Sequence, residues 1–83
     1  MTDPLIGYLT HVLRVAAQQR SQRSDWIEFE RNAMWKAVND QREKLGRSPI
    51  PIQDVERVEG MAVGHTDYAL KFALYCADLV YQK

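Results

Sequence analysis

Apolar residues recur along this chain at helical spacing, in three stretches separated by two short connections. Projected at about 100° per residue, Leu5, Ile6, Tyr8, Leu9, Val12, Leu13, Val15, Ala16 and Ala17 share one broad arc. Gly7, Thr10, His11, Arg14 and Gln18 fill the other side. Asp3 followed by Pro4 is a helix start, because the carboxylate accepts from the first free N–H groups and proline suits the first helical position. A first helix is therefore predicted over residues 4–19. Its apolar arc, about 200° wide, calls for more than one neighbour.

Gln18 to Ser24 is polar and basic with no apolar period, which makes it the first connection. A second helix is predicted over 25–45. Asp25 with Glu28 three residues on has the pattern of a capping box, and Leu45-Gly46 offers glycine for the left-handed helix exit. The main stripe of this helix is Trp26, Ile27, Ala33, Met34, Ala37, Val38 and Leu45. Phe29 projects to one side of it, and Trp35 lies on the far side among Glu28, Arg31, Asn39 and Arg42. Glu30 has the opposite mismatch. It falls within the stripe, where an unpaired carboxylate is costly, so either it reaches a rim arginine or the stripe is less buried than the projection implies.

Arg47-Ser48-Pro49-Ile50-Pro51-Ile52 is a stiff turn, since each proline fixes its own φ and keeps the preceding residue extended. Beyond it, Val55, Val58, Ala62, Ala69, Phe72, Ala73, Cys76, Leu79 and Val80 hold one helical phase across Gly60 and Gly64. That continuity predicts a single helix over 53–82, about 45 Å long. The alternative is a break or kink at Gly64 with Thr66 as the next cap.

No stretch alternates at the strand period and no internal repeat is visible, so the class is all-α and residues 1–83 read as one domain. Short connections favour antiparallel neighbours, which gives a three-helix antiparallel bundle whose C-terminal helix outruns its partners of about 25 and 31 Å. An overhanging apolar helix end leads us to expect a second chain.

Composition narrows the partner. Eleven basic residues balance eleven acidic ones, so the chain has little of the counterion-release drive behind nucleic-acid binding. The charge is uneven: Arg14, Arg20 and Arg23 oppose only Asp3 before residue 25, whereas residues 48–83 are net acidic. Cys76 is alone, which excludes an internal disulfide framework and fits a reducing compartment. Met1-Thr2-Asp3-Pro4 lacks the features of a leader, and the run 68–81 is too short and too charged to span a bilayer. A cytoplasmic location is expected.

Candidate chemistry is sparse. His65, Asp67 and Cys76 are metal-donor types, but on a continuous helix they point apart and Cys76 lies about 16 Å further along. The preferred reading puts His65 and Cys76 in the core, with no metal and no cofactor. His11 has no carboxylate at i±3 or i±4 to orient it, and no catalytic motif is present, so no catalytic residue is assigned. Asp67 and Lys71 have the spacing of a favourable i, i+4 ion pair. A helix-turn-helix reading of the region after Leu45-Gly46 fails on charge, since in its candidate recognition segment, Gln53 to Glu59, Asp54, Glu56 and Glu59 oppose only Arg57.

Trp35 carries the most information about function. A tryptophan off the stripe, flanked by Arg31 and Arg42, has the composition enriched in interface hot spots, unless a neighbouring helix wraps far enough to bury it. Phe29, Tyr75 and Tyr81 pose the same question. The sequence thus points to a small non-enzymatic protein-interaction module, a homodimeric adaptor, accessory or inhibitory protein. The alternative is a nucleic-acid-binding accessory protein using a basic patch of Arg20, Arg23, Arg42 and Arg47, which requires the first connection and the end of the second helix to be adjacent.

Overall fold

Four helices, not three, make up the computed structural model of this chain, which describes residues 3–83. They are α1 (Pro4–Ala17), α2 (Trp26–Lys44), α3 (Ile52–Ala62) and α4 (Tyr68–Tyr81), with a single 3-10 turn (Arg20–Gln22) in the first connection. No strand occurs among the described residues. Met1 and Thr2, part of the segment read above for a leader, lie outside them.

The ends of α1 and α2 follow from local chemistry. Asp3 caps α1, its Oδ1 accepting from the Leu5 N–H at 2.9 Å, with Pro4 in the first turn. At the C-terminus of α2, Gly46 takes φ +72°, the Gly46 N–H reaches the Glu43 carbonyl and the Arg47 N–H reaches back to Arg42. That pairing is a Schellman closure. The capping box does not form: Asp25 makes no side-chain cap and instead holds Arg23, at 2.9 Å from both Nε and Nη2. A bidentate guanidinium outcompetes one backbone N–H for the same carboxylate.

The long third helix is where pattern and structure part. Val63 sits at φ −62°, ψ 133°, Gly64 at φ +96°, and the His65 N–H donates to the Ala62 carbonyl at 3.2 Å. Residues 62–65 thus form a type II turn, whose third position requires the positive φ that glycine supplies. The next helix starts on Asp67 rather than Thr66, the Asp67 carboxylate accepting from the Leu70 N–H at 3.2 Å. Used as a cap, Asp67 makes no ion pair with Lys71. The apolar phase survives the turn because α3 and α4 both face the same core.

That core joins Leu9 and Leu13 of α1, Met34 and Val38 of α2, Val55 and Val58 of α3, and Phe72, Cys76, Leu79 and Val80 of α4. α2 and α4 form the middle of the bundle, and α1 and α3 each pack against both. A radius of gyration of 12.1 Å is what close packing of this many residues gives. The arc predicted on α1 is trimmed: Tyr8 and Val15 are exposed, whereas Thr10 is buried, its hydroxyl donating to the Ile6 carbonyl at 2.7 Å. Of the two residues expected in the core at the 64–76 region, Cys76 is fully buried and His65 is exposed, because His65 ends the type II turn.

Candidate functional site

The break at Gly64 opens a cleft. Folding α4 back from α3 sets the last turn of α3 and the first turn of α4 against the start of α2, and a hollow of about 350 Å³ lies between them. Trp26, Ile27 and Glu30 line it from α2, Glu59 and Val63 from α3 and its exit, Tyr68 from α4 and Arg20 from the 3-10 turn. Its wall is mostly apolar, with two carboxylates set into it.

Glu30 resolves the mismatch seen in the sequence by reaching a rim arginine. It is only 1% exposed, and Arg20 grips both its oxygens, Nε to Oε2 at 2.6 Å and Nη2 to Oε1 at 2.8 Å. The same guanidinium lies 4.6 Å from the centre of the Trp26 ring, within cation–π range. The hydrogen bonds from Arg20 to Glu30 raise the pKa of Arg20 further above its ordinary value, against a smaller opposing effect of burial.

Glu59, 8% exposed, is held from the other side. Arg31 donates to its Oε1 through Nε at 3.0 Å and Nη2 at 2.7 Å, and lies 3.8 Å from Glu56 as well. Among the described residues the Oε2 of Glu59 accepts nothing. Since no fully buried side-chain oxygen or nitrogen lacks a partner, Oε2 opens to solvent. The Tyr68 ring lies 5.6 Å from that of Phe72, and its phenol is pushed up to about 12, first by burial and then by the negative charges of Glu59 and Glu30. The hydroxyl is neutral and protonated at neutral pH. Deeper in α4, burial pushes the Cys76 thiol up to about 12, with Glu59 adding to it. Such a thiol is a core residue, not a nucleophile.

Most residues singled out by the sequence lie elsewhere. Trp35 is half-buried against the core, with its indole N–H donating to the Ile50 carbonyl at 2.8 Å. The proline-rich turn, rather than another helix, covers it. Arg42 is 4% exposed and closes the C-terminus of α4, with Nη1 donating to the Leu79 and Gln82 carbonyls at 2.7 and 2.6 Å and Nε to the Ser48 carbonyl at 2.7 Å. Trp35 and Arg42 therefore do not form the exposed aromatic–arginine pair expected of them, because both meet backbone carbonyls that only the tertiary fold brings near. Tyr75 packs on the core, Phe29 lies under the Arg23 guanidinium at 4.2 Å, Arg31 is committed to Glu59, and Tyr81 is exposed.

The basic patch does not assemble. Arg20 and Arg23 precede α2, whereas Arg42 and Arg47 sit at its far end, about 24 Å along the axis. Each is also engaged, Arg47 with the Val80 carbonyl at 3.1 Å. Among the described residues no three His, Cys, Asp or Glu side chains gather as a metal-binding group.

Of the residues the sequence proposed, only Arg20 lines the cleft. Glu59 has the same signature in the sequence as Glu30: it falls four residues after Val55 and three before Ala62, a carboxylate on an apolar face. Trp26 reads as an ordinary stripe residue and Tyr68 only as the first residue of the apolar run 68–81, and the turn at Gly64 is what brings Tyr68 to the hollow that Trp26 lines. No helix is long and apolar enough to cross a membrane among the described residues. No family model matches this chain, no curated protein matches it, and no solved structure matches it.

Proposed function

We propose that this chain is a non-enzymatic protein-interaction module, a homodimeric adaptor, accessory or inhibitory protein that holds a partner protein at the cleft beside Trp26 and Tyr68. The supporting observation is apolar surface left exposed at the cleft lip. Val63 is 66% and Ile27 48% exposed, next to two half-buried aromatics and a concave wall. Apolar surface concentrated around a hollow is characteristic of binding sites, whereas singly scattered apolar residues need no explanation.

A second exposed apolar set supports self-association at the other end of α2, about 28 Å away. There Leu45 and Tyr81 are each about half exposed, at the C-terminal ends of α2 and α4. In this reading one end pairs two copies and the other receives the partner. Light scattering coupled to size exclusion, at two salt concentrations, tests the arrangement. The untagged chain is expected at twice its 9.6 kDa mass. Leu45→Asp and Tyr81→Asp should give monomers of unchanged helicity, and Val63→Asp should remain dimeric. A monomeric parent protein at both salt concentrations removes the homodimer, and a monomeric Val63→Asp moves self-association to the cleft.

A further inference from the structure

We infer that the cleft receives the guanidinium side chain of an arginine flanked by apolar residues in the partner, a proposal that rests on the interaction reading above. Four observations converge on that chemistry. The first is the open Oε2 of Glu59, on a side chain that is 8% exposed and lines the cleft. Arg31 occupies only Oε1, so one oxygen of a carboxylate that lines a largely apolar hollow keeps its acceptor capacity. A donor that reaches it makes a charge-assisted bond, whereas an empty cleft leaves that oxygen to water alone.

The second is charge. Glu28, Glu56 and Glu59 all act on Arg31, one cation beside the cleft among three carboxylates of which Glu59 lines it, while Arg20 and Glu30 within it cancel each other. The local excess is negative and suits a cation. The third is that the cleft already holds one guanidinium: Arg20 lies over the Trp26 ring, 4.6 Å from its centre, and grips Glu30 through two nitrogens. Aromatic face plus carboxylate is the combination that selects arginine over lysine, because the planar fork stacks and bonds together. Tyr68 and Glu59 line the same cleft with Val63, and the Glu59 charge acts on the Tyr68 phenol, so a second aromatic ring and a second carboxylate are at hand. The fourth is size and shape. About 350 Å³ is at the small end of ligand pockets, room for one large side chain and not for a helix. The exposed Ile27 and Val63 at the lip meet the apolar residues on either side of that arginine.

The test is a nuclear magnetic resonance titration of the full-length, isotope-labelled chain with the capped peptide Leu-Arg-Leu and with Leu-citrulline-Leu, whose ureido group has nearly the same shape without the charge. The arginine peptide is expected to shift the Trp26 indole and the amides of Val63, Gly64 and Tyr68, and to bind about ten-fold tighter than the citrulline peptide. Glu59→Gln should bring the arginine peptide down to the citrulline level. Val63→Lys, at an exposed site that leaves the core untouched, should do the same by placing a competing cation at the lip. Equal binding of the two peptides overturns the arginine inference and leaves the interaction reading standing. No shift at the cleft with either peptide overturns the interaction reading there, and the inference with it.

Discussion

Arg42 of α2 closes the end of α4 by donating from Nη1 to the Leu79 carbonyl at 2.7 Å, across thirty-seven residues of sequence. The same nitrogen reaches the Gln82 carbonyl and Nε reaches Ser48, so one buried cation gathers the carbonyls of a helix end and of the proline-rich turn. The negative end of the α4 dipole and these carbonyls together replace the water that Arg42 gives up. No carboxylate takes part.

Arg42→Met should therefore lower stability by about 3 kcal/mol, because it leaves the helix-end carbonyls short of a donor in a site that water barely enters. Arg42→Lys should recover less than half of this, since an ammonium lacks the fork needed to reach Ser48 and the α4 end together. Urea unfolding midpoints at constant slope measure both. A loss under about 0.5 kcal/mol in Arg42→Met, the range of an ordinary surface change, would show that the clamp contributes nothing.

The turn at Gly64 supports a paired prediction. A Cβ added at Gly64 or at Gly60 meets nothing within 4 Å, so contacts cannot separate the two sites and backbone conformation alone decides. Gly64 is at φ +96°, so Gly64→Ala should cost about 1–2 kcal/mol. Gly60 lies inside α3, and Gly60→Ala should add about 0.5–1 kcal/mol. Thermal melts of the two variants should move in opposite directions. A shift in the same direction would mean that α3 and α4 do not keep this turn in solution.

These residues also mark what a sequence reading can reach. Asp3-Pro4 and Leu45-Gly46 predicted their helix ends because a cap is settled within four residues. Glu30 announced a partner because a carboxylate in an apolar stripe must be paired, although nothing local says that Arg20 is the one. Gly64 was ambiguous: α3 and α4 share one core, so their apolar phase matches a continuous helix and hides the turn. Trp35 and Arg42 misled for a tertiary reason. Both lie on the polar side of α2, and the turn at Ser48–Pro51 and the end of α4 return to cover that side. The cleft joins residues from three helices and a connection, so no single periodicity contains it.

Ile50 is the anchor of that returning turn, and its two backbone groups should be unequal in cost. Asn39 accepts from the Ile50 N–H at 2.9 Å and donates to its carbonyl at 3.2 Å, while Trp35 donates to the same carbonyl at 2.8 Å. Asn39→Ala leaves the N–H without a protein partner and should cost about 2 kcal/mol. Trp35→Phe leaves the carbonyl with one donor and keeps most of the ring packing, so about 1 kcal/mol is expected. Chemical denaturation of the two variants checks the order. If Trp35→Phe proves the more damaging, the indole matters through packing and not through this hydrogen bond.

The alkaline limb of stability should report the two groups that burial holds protonated. An unfolded Cys76 ionises near its ordinary 9.0 and the folded thiol near about 12, while for Tyr68 the corresponding values are 10.0 and about 12. Above pH 9.0 the unfolded chain sheds a proton that the native chain keeps, so stability is full below the unfolded values and falls as pH rises toward about 12. Cys76 is fully buried and should contribute a slope of about 1.4 kcal/mol per pH unit within that window. The contribution of Tyr68 begins a unit higher and is weaker, because its phenol is only half-buried. Urea midpoints between pH 8 and 11 should show a gentler decline in Cys76→Ala from about pH 9, and in Tyr68→Phe only from about pH 10. The slope is the readout, because the cavity left by Cys76→Ala lowers stability equally at every pH. The native thiol should also resist iodoacetamide at pH 8 and react only as the chain unfolds. Rapid native alkylation, or a Cys76→Ala slope equal to the parent's, would place the thiol in contact with water and end this account of α4.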